Sequence, residues 1–239
     1  LEDGILPILH AEINDGDILY HATAFASLEY RPLVDAQTGA LQLRGTHYLV
    51  ADSFGFGNMQ TESQAQERDR RMLQEIERDE ETVLYLRVEA ENTAPVPRYA
   101  WMKTPVPNAF HVGTTRLVQY QFADGFASYR NTAGETDRIF LAAKLNGSAS
   151  AFSPMPQEEV AVLLQPGEKA IFDIFLPHRP LSAARAAALV NQDFSQRYQE
   201  VQTFWRRKQA SAARVHLPEK RLHEMFNAGL LHLDLVTYG

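Results

Sequence analysis

Residues 194–239 read FSQRYQEVQTFWRRKQASAARVHLPEKRLHEMFNAGLLHLDLVTYG, and this stretch governs the interpretation of the whole chain. Its apolar residues recur at helical spacing, with an interruption at residues 216–218. The residues before position 180 show short strand-like runs separated by turn residues. The sequence therefore predicts a long β-rich region followed by a helical hairpin.

The first helix of this stretch carries a single apolar stripe. The stripe recurs at i, i+4, i+7 and i+11 and consists of Phe194, Tyr198, Val201 and Trp205. Asp193, immediately before it, is a suitable residue to begin a helix. We expect this stripe to pack back onto the β-rich region.

The second helix begins at Pro218, which suits the first position of a helix. One apolar stripe consists of Leu222, Phe226, Leu230 and Leu233, and it is widened by Met225, Leu231 and Leu235. A helix with so broad an apolar surface is normally buried against other elements. We therefore expect it to pack on the β-rich region or on further helices, and we assign interdomain packing to Trp205, Leu222, Phe226, Leu230 and Leu233.

The β-rich region is divided into short runs by Gly, Pro, Asn and Asp. The turn residues 14–17 predict a hairpin, and residues 82–90 form the clearest strand, to which residues 98–103 are predicted to return antiparallel. Further strands are predicted at residues 41–50, 116–121, 126–130, 138–145, 160–164 and 170–176. Many short strands without intervening helices predict a mainly β fold, an antiparallel sandwich followed by C-terminal α-helices.

Two further segments have helical or turn character. Residues 62–82 mix Glu, Asp, Arg and Gln, which predicts a solvent-facing helical insertion between strands. Residues 181–190 are rich in Ala and predict a helix with Ser182 as its N-cap. The sequence Gln-Pro-Gly-Glu at residues 165–168 predicts a type I or type II turn.

Composition excludes several classes of protein. The 239 residues carry a formal net charge of −7, and no cluster of Lys and Arg stands out, which argues against a nucleic-acid partner. No apolar run reaches the length of a membrane span. The chain has no cysteine, so it holds neither disulfides nor a thiolate nucleophile. This composition suits both a cytoplasmic and an exported, periplasmic location.

The spacing of reactive residues predicts no catalytic, cofactor or metal site within this chain. His223 and His232 are nine residues apart on the last helix and do not share a face as the i, i+4 pair of a zinc site does. No serine lies in a Gly-x-Ser-x-Gly context, and the glycines at 55 and 57 are too few for a dinucleotide loop. Asp234 is a single carboxylate without a mate.

Three aromatic residues have two possible roles. Tyr99, Trp101 and Phe110 can stack on sugar rings, because aromatic faces combine apolar area with a polar rim. In an antiparallel sandwich, however, aromatic residues are first of all core residues. We prefer the core interpretation and keep Tyr99 and Trp101 as possible carbohydrate contacts.

The order of these features resembles a known family. A β-rich region, the turn at 165–168, a helix containing Phe204 and Trp205, and the Leu-Pro-Glu at 217–219 that opens an apolar helix follow one another. This order resembles the N-terminal β-supersandwich domain and linker helices of bacterial glycosidases and glycoside phosphorylases with a six-hairpin (α/α) toroid. The resemblance implies a galactose-mutarotase-like β-supersandwich at residues 1–180, connecting helices at 181–217 and the first barrel helix at 218–239.

Three functions remain open at this point. The resemblance implies a non-catalytic domain that packs on a C-terminal catalytic helical barrel and shapes its site, since the catalytic carboxylates of such enzymes lie in the barrel. A self-contained carbohydrate-binding or assembly module, which forms homo-oligomers, is the second possibility. A mutarotase-like epimerase is the third, and it needs a His and an acid that converge on one concave face.

Overall fold

The computed structural model describes the chain in nine segments, which are residues 1–33, 80–103, 120–123, 126–130, 137–147, 151–155, 159–177, 181–211 and 215–236. Four features of the sequence analysis lie outside the described residues or side chains. They are the predicted strand at 41–50, most of the predicted insertion at 62–82, Phe110 and the side chain of Asp234. The insertion is described only at its end, and that end contradicts the prediction. Glu80 and Glu81 are 5% exposed rather than solvent-facing. Thr82 begins the strand that was predicted at residues 82–90.

The described residues form ten strands in two antiparallel sheets. The larger sheet has the order β1-β2-β3-β10-β7-β6-β5. Its strands are β1 (Ile8–Asp15), β2 (Ile18–Leu28), β3 (Thr82–Asn92), β5 (Tyr120–Ala123), β6 (Phe126–Arg130), β7 (Asp137–Gly147) and β10 (Lys169–Pro177). The smaller sheet has the order β4-β9-β8 and consists of β4 (Arg98–Lys103), β8 (Ala151–Met155) and β9 (Glu159–Leu164).

The predicted hairpin at the start of the chain is confirmed. Asp15 pairs with Ile18, so Gly16 and Asp17 form a two-residue turn in which Gly16 has φ 61°. A positive φ suits glycine, which has no Cβ to clash in the left-handed region. Strand β2 then pairs with β3 from Ile18 opposite Asn92 to Leu28 opposite Thr82.

The predicted pairing of β4 with β3 is wrong. Both edges of β3 are already occupied, one by β2 and the other by β10. Strand β4 therefore pairs with β9 in the smaller sheet, where Trp101 lies opposite Ala161. The turn at 165–168 has Gly167 at φ 76°, which is the type II geometry, and it carries the chain from β9 back to the larger sheet.

One apolar core fills the space between the two sheets. Its buried residues come from both sheets and comprise Ile18, Ala90, Ala100, Met102, Leu141, Ala143, Val160, Val162, Leu164, Ala170, Phe172 and Ile174. Because side chains alternate along a strand, Ala100 and Met102 face this core while their neighbours on β4 face away. The mainly antiparallel β-sandwich predicted from the sequence is confirmed.

Three helices follow the strands in the described residues. Helix α1 (Ala183–Val190) has the predicted N-cap, since Ser182 accepts a hydrogen bond from the backbone of Arg185 at 3.4 Å. Helix α2 (Phe194–Ser211) begins after Asp193, whose carboxylate accepts a bond from the backbone of Ser195 at 2.8 Å. Helix α3 (Lys220–Val236) begins two residues later than predicted, because Glu219 provides the first helical carbonyl.

A second apolar core lies between the larger sheet and these helices. Phe194, Val201 and Trp205 of α2 are buried there against sheet residues such as Phe25 and Tyr85, and Tyr198 is packed beside them. The aromatic rings of Phe25 and Phe194 meet edge to face with centroids 5.0 Å apart. The expectation that α2 packs back onto the sheet is confirmed. The boundaries at 180/181 and 217/218 stay predictions.

Candidate functional site

Tyr99 and Trp101 form an exposed aromatic pair on β4, which we call the aromatic edge. They are 51% and 50% exposed, and their ring centroids lie 6.3 Å apart at an interplanar angle of 49°. The preferred interpretation of these residues as core is therefore wrong. The alternation of β4 assigns the inner face to Ala100 and Met102, so the two large rings point away from the core.

The backbone of the aromatic edge is anchored from the larger sheet. The Trp101 N–H donates to the hydroxyl of Tyr20 on β2 at 2.9 Å. Burial raises the pKa of Tyr20, although the bond from Trp101 acts in the opposite direction. Beside them Arg98 donates to Asp17 at 2.6 Å across the two sheets. The two rings are thus presented on a fixed strand rather than on a free loop.

Helix α3 presents a second exposed surface, which we call the α3 face. Leu222, Met225 and Phe226 are 49%, 61% and 38% exposed, and they lie at i, i+3 and i+4. Gly229 continues the row, and a Cβ added there meets no described atom within 4 Å. The buried side of the helix consists instead of Leu231 and Asn227, which are 3% and 9% exposed.

The other residues assigned to interdomain packing lie in different surroundings. Trp205 is 6% exposed and belongs to the core between the larger sheet and the helices. Its ring meets that of Phe204 edge to face at 4.9 Å. Leu230 is half-buried, and the side chain of Leu233 lies outside the described part.

A buried polar cluster, which the sequence did not indicate, joins the β2–β3 connection to α1 and α2. Glu29 is 0% exposed, and both of its carboxylate oxygens accept bonds from the guanidinium of Arg185 on α1. Its second oxygen also accepts from the backbone N–H of Glu81 at 3.2 Å. These contacts hold the two ends of the β2–β3 connection against the first helix.

Arg197 on α2 completes this cluster from the other helix. Its guanidinium donates to the backbone carbonyls of Glu29, Tyr30 and Arg31, and the last of these bonds measures 3.0 Å. Its Nε donates to the side chain of Gln192 at 2.9 Å. Because one arginine donates to three successive carbonyls, it restrains the backbone conformation of the residues after β2.

Tyr85 shows how strongly this region is desolvated. Its hydroxyl lies 3.0 Å from both the carbonyl oxygen of Leu28 and the side-chain oxygen of Gln192. Burial raises the pKa of Tyr85 well above its ordinary value, against the opposing charge of Arg197. Such buried, hydrogen-bonded groups rigidify a structure.

A second buried ion pair lies between β3 and β10. Arg87 donates through Nε to one oxygen of Asp173 at 2.7 Å and through a terminal nitrogen to the other at 3.0 Å. Burial lowers the pKa of Arg87, but the bond and the charge of Asp173 outweigh it and hold the pKa above its ordinary value. The guanidinium also lies 4.2 Å from the ring centre of Phe194.

Among the described residues, the contact that comes nearest to a His and acid pair joins His10 and Glu2, whose side chains are 3.2 Å apart. Glu2 is also bonded to Tyr198 and Gln202 on α2. Burial and the bond to Glu2 raise the pKa of Tyr198 to about 12. The carboxylate therefore ties the N-terminal segment to α2 and also contacts the imidazole.

The described segments contain no group of three or more His, Asp or Glu placed to hold a metal ion. Among the helices in those segments, none is long and apolar enough to span a membrane. The aromatic edge and the α3 face both expose apolar side chains on a sandwich that also contains buried ion pairs. The described residues therefore define a mainly antiparallel β-sandwich, followed by helices, that carries exposed apolar side chains on β4 and α3.

Comparison with known proteins gives no family assignment. No family model matches the chain, and no curated protein matches it. One solved structure, described as a kojibiose phosphorylase from the human microbiome, aligns with 93% of this chain and 22% of its own. The sequence identity is 8% and the TM-score is 0.25. The chain thus spans about a fifth of that protein, and a likeness at this level establishes neither a shared fold nor a shared function.

Proposed function

We propose that this chain is a non-catalytic domain of a carbohydrate-active enzyme, of the glycoside hydrolase or phosphorylase type, and that it packs on a catalytic helical domain. The observation that carries the proposal is the α3 face, where Leu222, Met225 and Phe226 expose apolar side chains in one row. Contiguous exposed apolar patches mark interaction sites more often than single exposed residues do. The resemblance in the order of elements supplies the class of enzyme.

The shape of the α3 face favours a helix as its partner. Apolar residues three and four apart form the ridges that helices pack into one another's grooves. Gly229 adds a position without a side chain, and neither a positive φ nor a crowding atom in the described chain requires a glycine there. A glycine within a helix costs about 1 kcal/mol relative to Ala, and a close approach of a second helix offsets this cost.

Substitution of the α3 face tests the packing. Because Leu222 and Met225 are 49% and 61% exposed, Leu222→Glu combined with Met225→Glu is expected to change the free energy of unfolding of this chain by less than about 1 kcal/mol. The same pair is expected to abolish binding to the polypeptide encoded after Gly239, measured by titration calorimetry. Lys220→Glu changes the charge of an exposed residue that lies two positions before Leu222 and five before Met225, and so off this face. It is the matched control and is expected to bind normally.

The proposal also predicts which elements the coding sequence specifies after Gly239 and which activity this chain lacks by itself. The coding sequence after Gly239 is expected to continue as repeated helical hairpins with paired acidic residues in their loops. The 239-residue chain alone is expected to neither hydrolyse nor phosphorolyse oligosaccharides. A stop codon after Gly239, or turnover by this chain, would refute the proposal.

A second candidate function, carbohydrate binding, rests on the aromatic edge. Two half-exposed rings on a fixed strand offer a sugar ring both stacking area and, through the Tyr99 hydroxyl, a polar group. Their exposure costs free energy in water, and a ligand that covers them recovers it. In this function the chain binds glycans by itself.

Trp101→Ala tests this candidate. Aromatic residues that anchor an interface commonly cost more than 1 kcal/mol on truncation, so we expect glycan affinity to fall by about tenfold or more. Folding is expected to be retained, because the Trp101 bond to Tyr20 uses the backbone N–H. The control is Met225→Ala, an exposed apolar residue on another element. The candidate fails if no glycan in a panel binds, or if both variants bind equally.

A further inference from the structure

The outer edge of β1 is an unpaired strand edge in the described structure. The backbone of Ile8 points away from β2, because its carbonyl accepts from Glu2 and its N–H donates to Leu6. Backbone groups alternate along an antiparallel strand, so those of His10, Glu12 and Asn14 also point outward. No described residue supplies a backbone partner for these three.

In the described residues, this edge lacks several of the usual protections against pairing. The strand reads ILHAEIND, with no Pro, no Lys and a register against β2 that runs without a bulge. Every residue of β1 after Ile8 is exposed, and Leu9 and Ile13 on one face are 56% and 60% exposed. The strand is therefore a ready template for a partner strand.

The sequence of β1 is complementary to itself in one antiparallel register. With Ala11 opposite Ala11 of a second copy, His10 lies opposite Glu12 and Leu9 lies opposite Ile13. An imidazole then faces a carboxylate on one side of the sheet, and two large apolar residues meet on the other. The two neighbouring antiparallel registers do not have these pairs. One of them places Glu12 of one copy opposite Glu12 of the other, and the second places His10 opposite His10.

We propose that two copies of this chain associate through β1, paired antiparallel about a two-fold axis at Ala11, so that the larger sheet continues across the dimer. His10 of one copy and Glu12 of the second copy exchange both backbone hydrogen bonds, because no described residue bonds to the outward backbone groups of either. The pairing ends at Ile8, whose outward groups are already bonded to Glu2 and Leu6. This surface shares no residue with the α3 face or the aromatic edge, so it does not depend on the proposed function.

Single cysteines test both the contact and its register, since the chain has no native cysteine. Across a non-hydrogen-bonded antiparallel pair the Cα atoms are about 4.5 Å apart, which is within the range for a disulfide. Ala11→Cys is therefore expected to form a covalent dimer under mild oxidation. Ile13→Cys, on the same face of the same strand, is the matched control, because its two copies lie about 13 Å apart in this register.

Glu12→Pro is the second variant, and it acts on the backbone. The N–H of Glu12 bonds to nothing in β2, so its loss leaves the β1–β2 ladder intact. In the dimer, Glu12→Pro removes one backbone hydrogen bond on each side of the two-fold axis. We therefore expect the dimer dissociation constant to rise at least about tenfold, as measured by analytical ultracentrifugation. Circular dichroism checks that the variant stays folded.

Each outcome decides the proposal. A concentration-dependent dimer, weakened by Glu12→Pro and cross-linked at position 11 much more than at position 13, supports it. A wild-type chain that stays monomeric up to about 1 mM, equal cross-linking of the two cysteine variants, or open-ended growth into larger assemblies overturns it.

Discussion

Replacing Glu29 by alanine is expected to lower the free energy of unfolding by about 3–5 kcal/mol, the usual cost of breaking a buried ion pair from one side. Glu29 is 0% exposed, and its carboxylate binds the Arg185 guanidinium and the backbone N–H of Glu81. The alanine variant leaves both of these donors without the carboxylate that binds them. Urea denaturation followed by circular dichroism measures the change.

Two comparisons separate this effect from the simple loss of a charge. Glu91→Ala removes a carboxylate whose bond to Lys169 lies at the surface, 2.8 Å long, and it is expected to change stability only slightly. Arg185→Met is expected to be nearly as costly as Glu29→Ala, because it leaves the buried carboxylate without its main cation. Losses below about 1 kcal/mol for both Glu29→Ala and Arg185→Met would show that the cluster does not stabilise the fold.

Local patterns in the sequence predicted the elements that depend on neighbouring residues. The stripe of α2, the Ser182 cap and the hairpin at Gly16 all follow from residues within a few positions of one another. Helix period, side-chain capping and turn chemistry act at this range. For this reason these predictions were confirmed, and the start of α3 was wrong by only two residues.

Sheet order was not predictable in the same way. Strand β4 follows β3 in the chain, yet β3 has β2 and β10 on its two edges and accepts no third neighbour. The alternation of β4 is visible in the sequence, but which of its faces meets the core depends on β9. The exposure of Tyr99 and Trp101 is therefore a property of the assembled sandwich.

The buried polar cluster was missed for a related reason. Glu29 and Arg185 are 156 positions apart in the chain, and Arg197 reaches carbonyls up to 168 positions away. Glu80 and Glu81 ended a run of mixed charge that predicted a solvent face. An Asp or Glu is rarely fully buried without a partner. Glu29 is paired with Arg185, and Glu80 accepts bonds from the backbone N–H groups of Tyr30 and Arg31, all at least 49 positions away in the chain.

Arg87→Met is expected to lower the free energy of unfolding by about 3–5 kcal/mol, since it leaves the 0% exposed Asp173 without its bidentate partner. The variant also loses the contact of the guanidinium with the Phe194 ring at 4.2 Å and the bond to Ser195 at 3.3 Å. Both of these contacts fasten α2 to the larger sheet. We therefore expect increased hydrogen exchange at the start of α2 as well as a lower midpoint in denaturant.

Arg98→Met is the matched control, because Arg98 and Asp17 form a pair of almost the same length in a different environment. That pair measures 2.6 Å, against 2.7 Å for Arg87 and Asp173, but its side chains are 46% and 48% exposed. Exposed pairs contribute about 0–1 kcal/mol, so burial rather than distance is expected to separate the two variants. Equal losses in both would contradict this account.

Combining Arg87→Met with Asp173→Leu tests whether the cost lies in the unpaired charge. Replacing both members of a buried pair by apolar residues is often close to neutral. Here we expect the double variant to recover only part of the loss, because Lys144 lies directly opposite Asp173 on β7 and keeps its charge. A double variant less stable than Arg87→Met alone would show instead that Asp173 stabilises the sheet mainly through residues other than Arg87.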